Sequence, residues 1–529
     1  MGWRGLTRLL GRGPVLLAGL PSLAALVVLA LAPRDDLART LPIEDGFYAL
    51  SVAHNVAAGD GVTIGGVDTN GFQPLWVALN VPLYWLAGGD RYLGLRLSQW
   101  LGTLLWVAFV VLVALLARRT ARRHGLGGDR AAVLAAVVAA GSVSVLRIHH
   151  NGLETGLLLV VLAAAVLVLD EERPWTARRI VLVGVLLGLL VWTRIDAALF
   201  AVALAAVAAR RQPRVLAACA LAALLIVPWL AWNLHVDGSI LPTSGAAQTG
   251  APEPGRNADA ALRALGAWAL PPLFRPSLHD RSVPLSELVA VAGLALVVLA
   301  GWSLRRRRTA APGAGTRALA LYLGGLVLWY TLAFESWWFL DRYLAPALLL
   351  MLPLLAAAGE RLLPRRGAYA VAALVLVANV PLLAVLVAAP SEPPAWASRG
   401  SNLGTHLNLN YDPQYTWTRD NVAPRCTMAA FESGTLGHFR PNAVNLDGKV
   451  NPDALAFRRD HRSDEYVRRI GATVLVDIPS GIERAVGRYR ADWRDVRRLP
   501  RFVVAVRRGS EDCLVSASAA GTAAAGGGG

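Results

Sequence analysis

For its length the chain has little charge, few cysteines and almost no lysine. Only 17% of its 529 residues are Asp, Glu, Lys or Arg, where a soluble protein usually carries about 25%. With 55% hydrophobic residues, that deficit excludes a disordered chain and an ordinary cytosolic enzyme. Three cysteines are too few for a disulfide scaffold, and no CxxC or Cys/His cluster suggests structural zinc. The composition is not collagen-like, and no internal repeat is visible. Of 52 basic residues one alone, Lys449, is a lysine.

What the chain has instead is apolar runs of about 20 residues from end to end, each long enough to cross a hydrocarbon core roughly 30 Å thick. Together with a mean hydropathy of +0.46 they predict a polytopic α-helical membrane protein. The net charge of +16 and pI near 10.7 invite a nucleic-acid reading, but the position of the arginines argues against it. They cluster between apolar runs, at Arg118, Arg119, Arg122 and Arg123; Arg178 and Arg179; Arg210, Arg211 and Arg214; Arg305 to Arg308; and Arg365 and Arg366. Cytoplasmic loops look like this under the positive-inside rule. Membrane lipid, not nucleic acid, is the expected surrounding.

Placing those tracts in the cytoplasm predicts about eleven spans, near 14–33, 93–117, 131–148, 153–169, 180–194, 195–209, 214–232, 285–304, 318–334, 343–358 and 368–389. The N-terminus is then cytoplasmic. Residues 1–33 also resemble a signal peptide, with Arg4, Arg8 and Arg12 ahead of an apolar run, but the run's length favours an uncleaved first span. Residues 1–389 form the transmembrane module, with outer loops at 34–92 and 233–284. Residues 390–515 read as an extracytoplasmic α/β domain, with strands expected at Thr427–Phe431, Ala443–Leu446, Thr473–Ile478 and Phe502–Val506. The tail 516–529, SASAAGTAAAGGGG, is low-complexity and expected to be disordered. Cys219 reads as a packing residue within a span. Cys426 and Cys513 share the oxidising outer side, where they can pair, although two cysteines alone do not establish a bond.

The first outer loop is densely patterned, IEDGFYALSVAHNVAAGDGVTIGGVDTNGFQPLW from Ile43 to Trp76. Residues 46–58 predict one short helix lying on the membrane surface, with Gly59 placed to end it. Glu44 and Asp45 stand at its start. Asp45 can be a helix N-cap, or a carboxylate kept ionised by the helix terminus and able to take a proton from an alcohol; the two roles are compatible. Arg194 and Asp196 lie between apolar runs, where charges are either paired structurally or functional. Arg342, after Trp337, Trp338 and Phe339, is either an interfacial anchor or a cation for a phosphate headgroup, with Tyr343 beside it. His150 and Glu154, four apart, give two metal ligands at most. Contact with a sugar, or capping by Asn151, is the better reading. Asn70, Gln73 and Trp76 can bind sugar through amides and ring stacking, or form an Asn-Gly turn with an interfacial tryptophan.

The loop's ED-GFY-AL order and its TNGF-x-PLW ending resemble the first-loop signature of the C-type glycosyltransferase superfamily. NGLET at Asn151–Thr155, TRID at Thr193–Asp196, GSILPTS at Gly238–Ser244, RYLAP at Arg342–Pro346 and VNLDG at Val444–Gly448 resemble its later motifs in the same order. The resemblance covers most of residues 40–450. It implies an enzyme of the bacterial plasma (inner) membrane that takes a sugar from a polyprenyl-phosphate donor on the outer face. The acceptor would be a cell-envelope glycan, glycolipid or protein. The chemistry would be an inverting single displacement with a first-loop carboxylate as base. Glu44 and Asp45 become the candidate bases, Asp45 preferred. The other residues named above, with Ser244 and Gln248, become candidate contacts to the donor phosphate or substrate. Two departures stand out: the acidic pair begins with Glu44 where the family has Asp, and Gln248 stands where many relatives carry Lys. The resemblance implies no certain cofactor and leaves a divalent metal open. Mannose, arabinofuranose and aminosugars all remain candidates for the sugar. A transporter or flippase of a lipid-linked sugar is the rival reading. It calls for polar residues or broken helices at the bilayer midplane, whereas the unusual residues here crowd the outer loops.

Overall fold

Apolar helices dominate the computed structural model, which describes residues 13–249, 252–273, 284–305, 309–388, 411–499 and 501–515. Arg4, Arg8, Arg12, Arg306 to Arg308, and the tail 516–529 lie outside the described residues, so the expectations for them are not addressed by it. Among the described residues, six helices are long and apolar enough to cross a membrane: Gly13–Leu31, Arg91–Arg123, Val215–Asp237, Glu287–Arg305, Ala345–Leu362 and Gly367–Ala388. Shorter apolar helices pack among them, including Pro74–Leu86 and Thr155–Leu169.

Two breaks in these helices have identifiable causes. The run expected as one span at 131–148 divides into Asp129–Gly141 and Val143–Ile148. Ser142 between them is extended, and the Val143 amide donates 2.9 Å to Asn379 Oδ1 instead of to its own helix. A side chain from a distant helix has entered the ladder. The second break separates Ala177–Thr193 from Ala198–Ala208 at Arg194, whose backbone is extended (φ −157°, ψ 130°).

The helix Arg91–Arg123 has 33 residues, about 50 Å at 1.5 Å per residue, and connects two chemically distinct ends. At its C-terminal end the arginine tracts meet acidic partners on neighbouring loops. Arg123 pairs with Asp170 at 2.9 Å and Arg118 with Asp129 at 2.9 Å. Glu360 accepts from the Gly128 and Ala131 amides. At its N-terminal end Asp90 caps the helix by accepting from the Tyr92 and Leu93 amides. There it adjoins the first loop and the C-terminal residues, since Arg91 donates to the His438 carbonyl.

In the first loop two short strands, β1 Thr63–Ile64 and β2 Val67–Asp68, pair antiparallel, and the C-terminal residues form a five-stranded sheet in the order β4-β3-β5-β7-β6. Its strands are β3 Met428–Ala430, β4 Ala443–Asn445, β5 Val474–Asp477, β6 Trp493–Arg498 and β7 Val503–Arg507. Strands β4, β3 and β5 are parallel, β7 and β6 antiparallel. Helices cover β5, which is buried throughout; a strand with both faces buried shows a continuous apolar run and is easy to find. The sequence reading missed β6, WRDVRR, because an arginine-bearing edge strand has no such run. Cys426 and Cys513 are joined in a disulfide.

One expectation about the first loop needs correction. The helix Gly46–Ala58 has the anticipated limits and ends at Gly59 in the left-handed region (φ 90°). It does not lie on a membrane surface, because every residue from Gly46 to His54 is buried. The short helix Gly434–Phe439 and the helix Pro74–Leu86 enclose it, and Ser51 shares a 3.0 Å hydrogen bond with His438. A helix with no solvated face is an interior element.

Candidate active site

The two adjacent carboxylates diverge. Glu44 turns to the C-terminal unit, where it accepts from the amides of Gly434 and Thr435 and from the Thr435 hydroxyl. That is a latch between the first loop and the helix Gly434–Phe439, with the carboxylate's acceptor capacity largely used. Asp45 turns the other way. It occupies the position before the helix but makes no capping hydrogen bond, so the N-cap reading is corrected. Its Oδ1 is 3.0 Å from Lys449 Nζ, and its carboxylate faces a cavity of about 300 Å³.

Backbone contacts position that carboxylate. Asn151 of NGLET accepts the Ile43 amide at 3.0 Å through its carbonyl. Gly152, in the left-handed region (φ 82°), lets this turn press against Gly46; a Cβ on Gly46 would stand 2.4 Å from the Asn151 carbonyl. Asn151 Oδ1 accepts from the Leu153 amide. The motif therefore works as a strut beneath the acidic pair. His150 is also corrected: it is buried, bonded to the Leu146 carbonyl at 2.7 Å and Thr103 at 3.1 Å, and does not line the cavity. Asn70 and Trp76 are likewise structural. Asn70 Oδ1 accepts from the amide and hydroxyl of Thr243, pinning the second loop to the first. Trp76 donates 2.8 Å to the Gly152 carbonyl.

Gln73, Ser244, Gln248, Arg194, Asp196, Arg342 and Tyr343 line the cavity with Asp45. Arg194 is bound to Asp196, lies 3.8 Å from Glu154, and stacks 4.1 Å over the Tyr343 ring. Tyr330 donates to Asp196 at 2.7 Å. This buried network holds Arg194 rigidly, yet its Nη1 has no hydrogen-bond partner among the described residues. Glu154 belongs to the network but does not line the cavity. Arg342 also lies over the Tyr343 ring, at 4.8 Å, and donates 3.1 Å to the Tyr343 hydroxyl. Its Nε is also unpartnered among the described residues. It faces the cavity, so the reading as a lipid anchor is set aside.

The residue the sequence reading missed is Lys449. It lies at the end of the VNLDG turn, where Asn445 Oδ1 accepts from the Gly448 amide and Asp447 Oδ1 from the Lys449 amide. The Lys449 carbonyl accepts 3.0 Å from Thr243 and presses on Gly71, where a Cβ would stand 1.8 Å away. Its Nζ lies between Asp45 and Asp447, the latter at 3.6 Å. A cation thus reaches the cavity beside Gln248 from more than 200 residues further along the chain. The available signal was its singularity, one lysine among arginines.

The electrostatics follow from this arrangement. Burial pushes the Asp45 carboxyl up, but Lys449 and Arg342 outweigh it and hold it below the usual aspartate value. Burial disfavours the Lys449 ammonium, but Asp45, Asp447 and Glu432 more than compensate, so it stays charged. The Tyr48 hydroxyl, 3.4 Å from Asp447 Oδ2, is kept protonated by burial and by the surrounding carboxylates. The remaining wall is apolar: Phe72 and Trp229 pack edge to face at 5.0 Å, and Leu241 and Trp329 line the cavity while staying about half exposed. The cavity combines cations, the Asp45 carboxylate beside Lys449, the Asp196 carboxylate tied to Arg194, and an apolar flank open to the outside of the helices. Among the described residues, no three His, Cys, Asp or Glu side chains gather as a metal-binding group.

No known family profile and no curated protein matches the chain. Solved structures do. ArnT from Cupriavidus metallidurans bound to undecaprenyl phosphate aligns with a TM-score of 0.53 at 17% identity, over 92% of this chain and 97% of that one. The apo state of the same protein gives 0.55 at 16% identity, over 93% and 98%. At such identities the likeness is one of fold. The chain is a multi-pass membrane protein with the fold of that structure, and its motifs resemble those of the C-type glycosyltransferase superfamily.

Proposed function

We propose that the chain is an inverting glycosyltransferase that moves a sugar from a polyprenyl-phosphate donor to an acceptor hydroxyl on the outer face of a bacterial inner membrane, with Asp45 as base. One observation carries the reading: Asp45 alone of the acidic pair faces the cavity, ionised between Lys449 and Arg342. An ionised carboxylate can accept the acceptor's proton as it attacks the anomeric carbon. Cations beside it stabilise the negative charge that develops on the departing phosphate. Glu44, engaged by Gly434 and Thr435 and absent from the cavity lining, is the latch and not the base. The likeness to a protein bound to undecaprenyl phosphate supports a lipid-phosphate donor, and the apolar flank of the cavity suits its isoprenoid tail. About eleven spans, a C-terminal unit on the outer side, and an envelope glycan, glycolipid or protein as acceptor complete the proposal.

The test is transfer by detergent-purified protein supplied with polyprenyl-phosphate sugars and candidate acceptors. Asp45→Asn should abolish transfer with the fold unchanged, while Glu44→Gln retains measurable activity. Transfer that survives Asp45→Asn would remove the proposed base.

A further inference from the structure

The cations lining the cavity are not equivalent. Arg194 is locked by Asp196, Glu154 and the Tyr343 ring. Arg342 is braced on the same ring. Lys449 differs: its backbone is fixed by Thr243 and the close approach of Gly71, but its four-carbon stem is a flexible tether with a compact ammonium at the end. That ammonium is partly exposed and reaches Asp45 at 3.0 Å and Asp447 at 3.6 Å. It is therefore the one cation lining the cavity, among the described residues, that is ion-paired to Asp45, and it can change partner without dismantling a buried network.

Its position also presents a chemical conflict. A carboxylate whose oxygen accepts from an ammonium is less able to accept a proton from an alcohol. The base of the proposed reaction is blocked by the residue nearest to it. An anion entering beside Arg342 resolves the conflict, because it competes with Asp45 for the same ammonium.

Resting on the glycosyltransferase reading, we propose that Lys449 is an exchangeable cation: paired with Asp45 as seen here, and drawn onto a lipid-borne phosphate when one enters, which frees Asp45 to act as base. Asp447 stays beside Lys449 and guides the ammonium back after release. The groups facing Asp45 are Lys449 and Asp447 from the VNLDG turn, Arg342, Tyr48 on its own helix, and Glu432 after β3. Among them only Lys449 and Arg342 are cationic, so losing Lys449 to the phosphate raises the proton affinity of Asp45 when the proton must be taken. In the transfer step the acceptor O–H bond breaks and its proton goes to Asp45. The acceptor oxygen bonds the anomeric carbon, and the bond from that carbon to the phosphate oxygen breaks with its electron pair on the phosphate. Asp45 becomes neutral as the phosphate gains a charge, so the total charge of the site does not change. Donor binding would precede productive acceptor binding, because the base is unmasked only in the donor complex.

The experiment measures the Kd of undecaprenyl phosphate, in detergent micelles at fixed pH and salt, for the wild type, Lys449→Arg, Lys449→Gln, Asp45→Asn and the double variant Asp45→Asn/Lys449→Gln. Lys449→Gln should weaken binding about tenfold, and Lys449→Arg should stay within a few-fold of the wild type. Asp45→Asn should tighten binding, by a larger factor with Lys449 present than in the Lys449→Gln background, because only then is a competitor for the ammonium removed. Two results would overturn the exchange: a Kd that Lys449→Gln leaves within twofold, or tightening by Asp45→Asn at least as large without Lys449, which is simple removal of a negative charge. The arginine variant guards against a folding defect in the glutamine variant. Transfer with a Lys449-independent Kd defeats the exchange alone. A Lys449-dependent Kd with no transfer to any acceptor defeats the glycosyltransferase reading and leaves the ion-pair exchange standing.

Discussion

Truncating Glu44 to alanine separates the latch from the proposed base most directly. In the wild type its carboxylate accepts from the Gly434 amide, the Thr435 amide at 3.2 Å and the Thr435 hydroxyl. Hydrogen bonds to an ionised acceptor contribute about 1.5–3 kcal/mol each when protected from water. These are partly buried, and water entering the gap would restore some of the loss. About 1 kcal/mol for each of the three donors, or about 3 kcal/mol in all, is a reasonable net cost. That corresponds to a shift of roughly 10²-fold in the local equilibrium that keeps the helix Gly434–Phe439 docked on the first loop. Hydrogen exchange reads this equilibrium directly, as the protection of amides in a peptide spanning residues 431–440. Glu44→Ala should speed exchange at Gly434 and Thr435 by about that factor, while Asp45→Asn leaves it near the wild-type rate. Transfer should fall in Glu44→Ala in proportion to undocking but persist. Unchanged protection together with complete loss of transfer would refute the argument, since a structural acceptor cannot behave that way.

Three further outcomes follow from the same geometry. Asp45 is held below the ordinary aspartate value, so the base form is retained as pH falls until that depressed value is reached, and the acid limb of kcat/KM should lie correspondingly low; Lys449→Gln should move that limb to higher pH. Gly71→Ala would drive a Cβ to within 1.8 Å of the Lys449 carbonyl. Backbone must then move, costing about 1–3 kcal/mol, and donor binding should weaken at least severalfold while the far end of the molecule keeps its melting behaviour. The Cys426–Cys513 bond closes a separation of 87 residues, for which loop-closure entropy sets a stabilisation of about 4–5 kcal/mol. Thermal unfolding of Cys426→Ser/Cys513→Ser should show earlier loss of the C-terminal sheet, with the membrane helices less affected.

Much of this arrangement was legible beforehand, for reasons visible in particular residues. Helices such as Gly367–Ala388 announce themselves because lipid or protein must cover every face. Gly59 marked a helix end because a left-handed residue is required there. Strand β5 was readable as an unbroken apolar run and β6, with its arginines, was not. The site was legible in part. The ordered motifs pointed to Asp45, Arg342 and the second loop, and these do converge on one cavity. His150, Asn70 and Trp76 carry equally suggestive side chains, yet each is spent on an internal hydrogen bond. A motif does not say whether its polar atoms face a cavity or a neighbouring backbone.

What the sequence determined by itself was the solvent and the loops that build the cavity: its apolar lengths and arginine tracts demand a membrane protein, and residues of its patterned loops line one cavity. Tertiary structure alone decided which of two adjacent carboxylates is spent and which faces the cavity. It also brought a lysine more than 400 residues away onto Asp45. The reason is physical. Hydrophobic periodicity is a local property that each segment carries with it, whereas the state of a carboxylate depends on which donors and charges stand within a few ångströms, and only packing sets those distances.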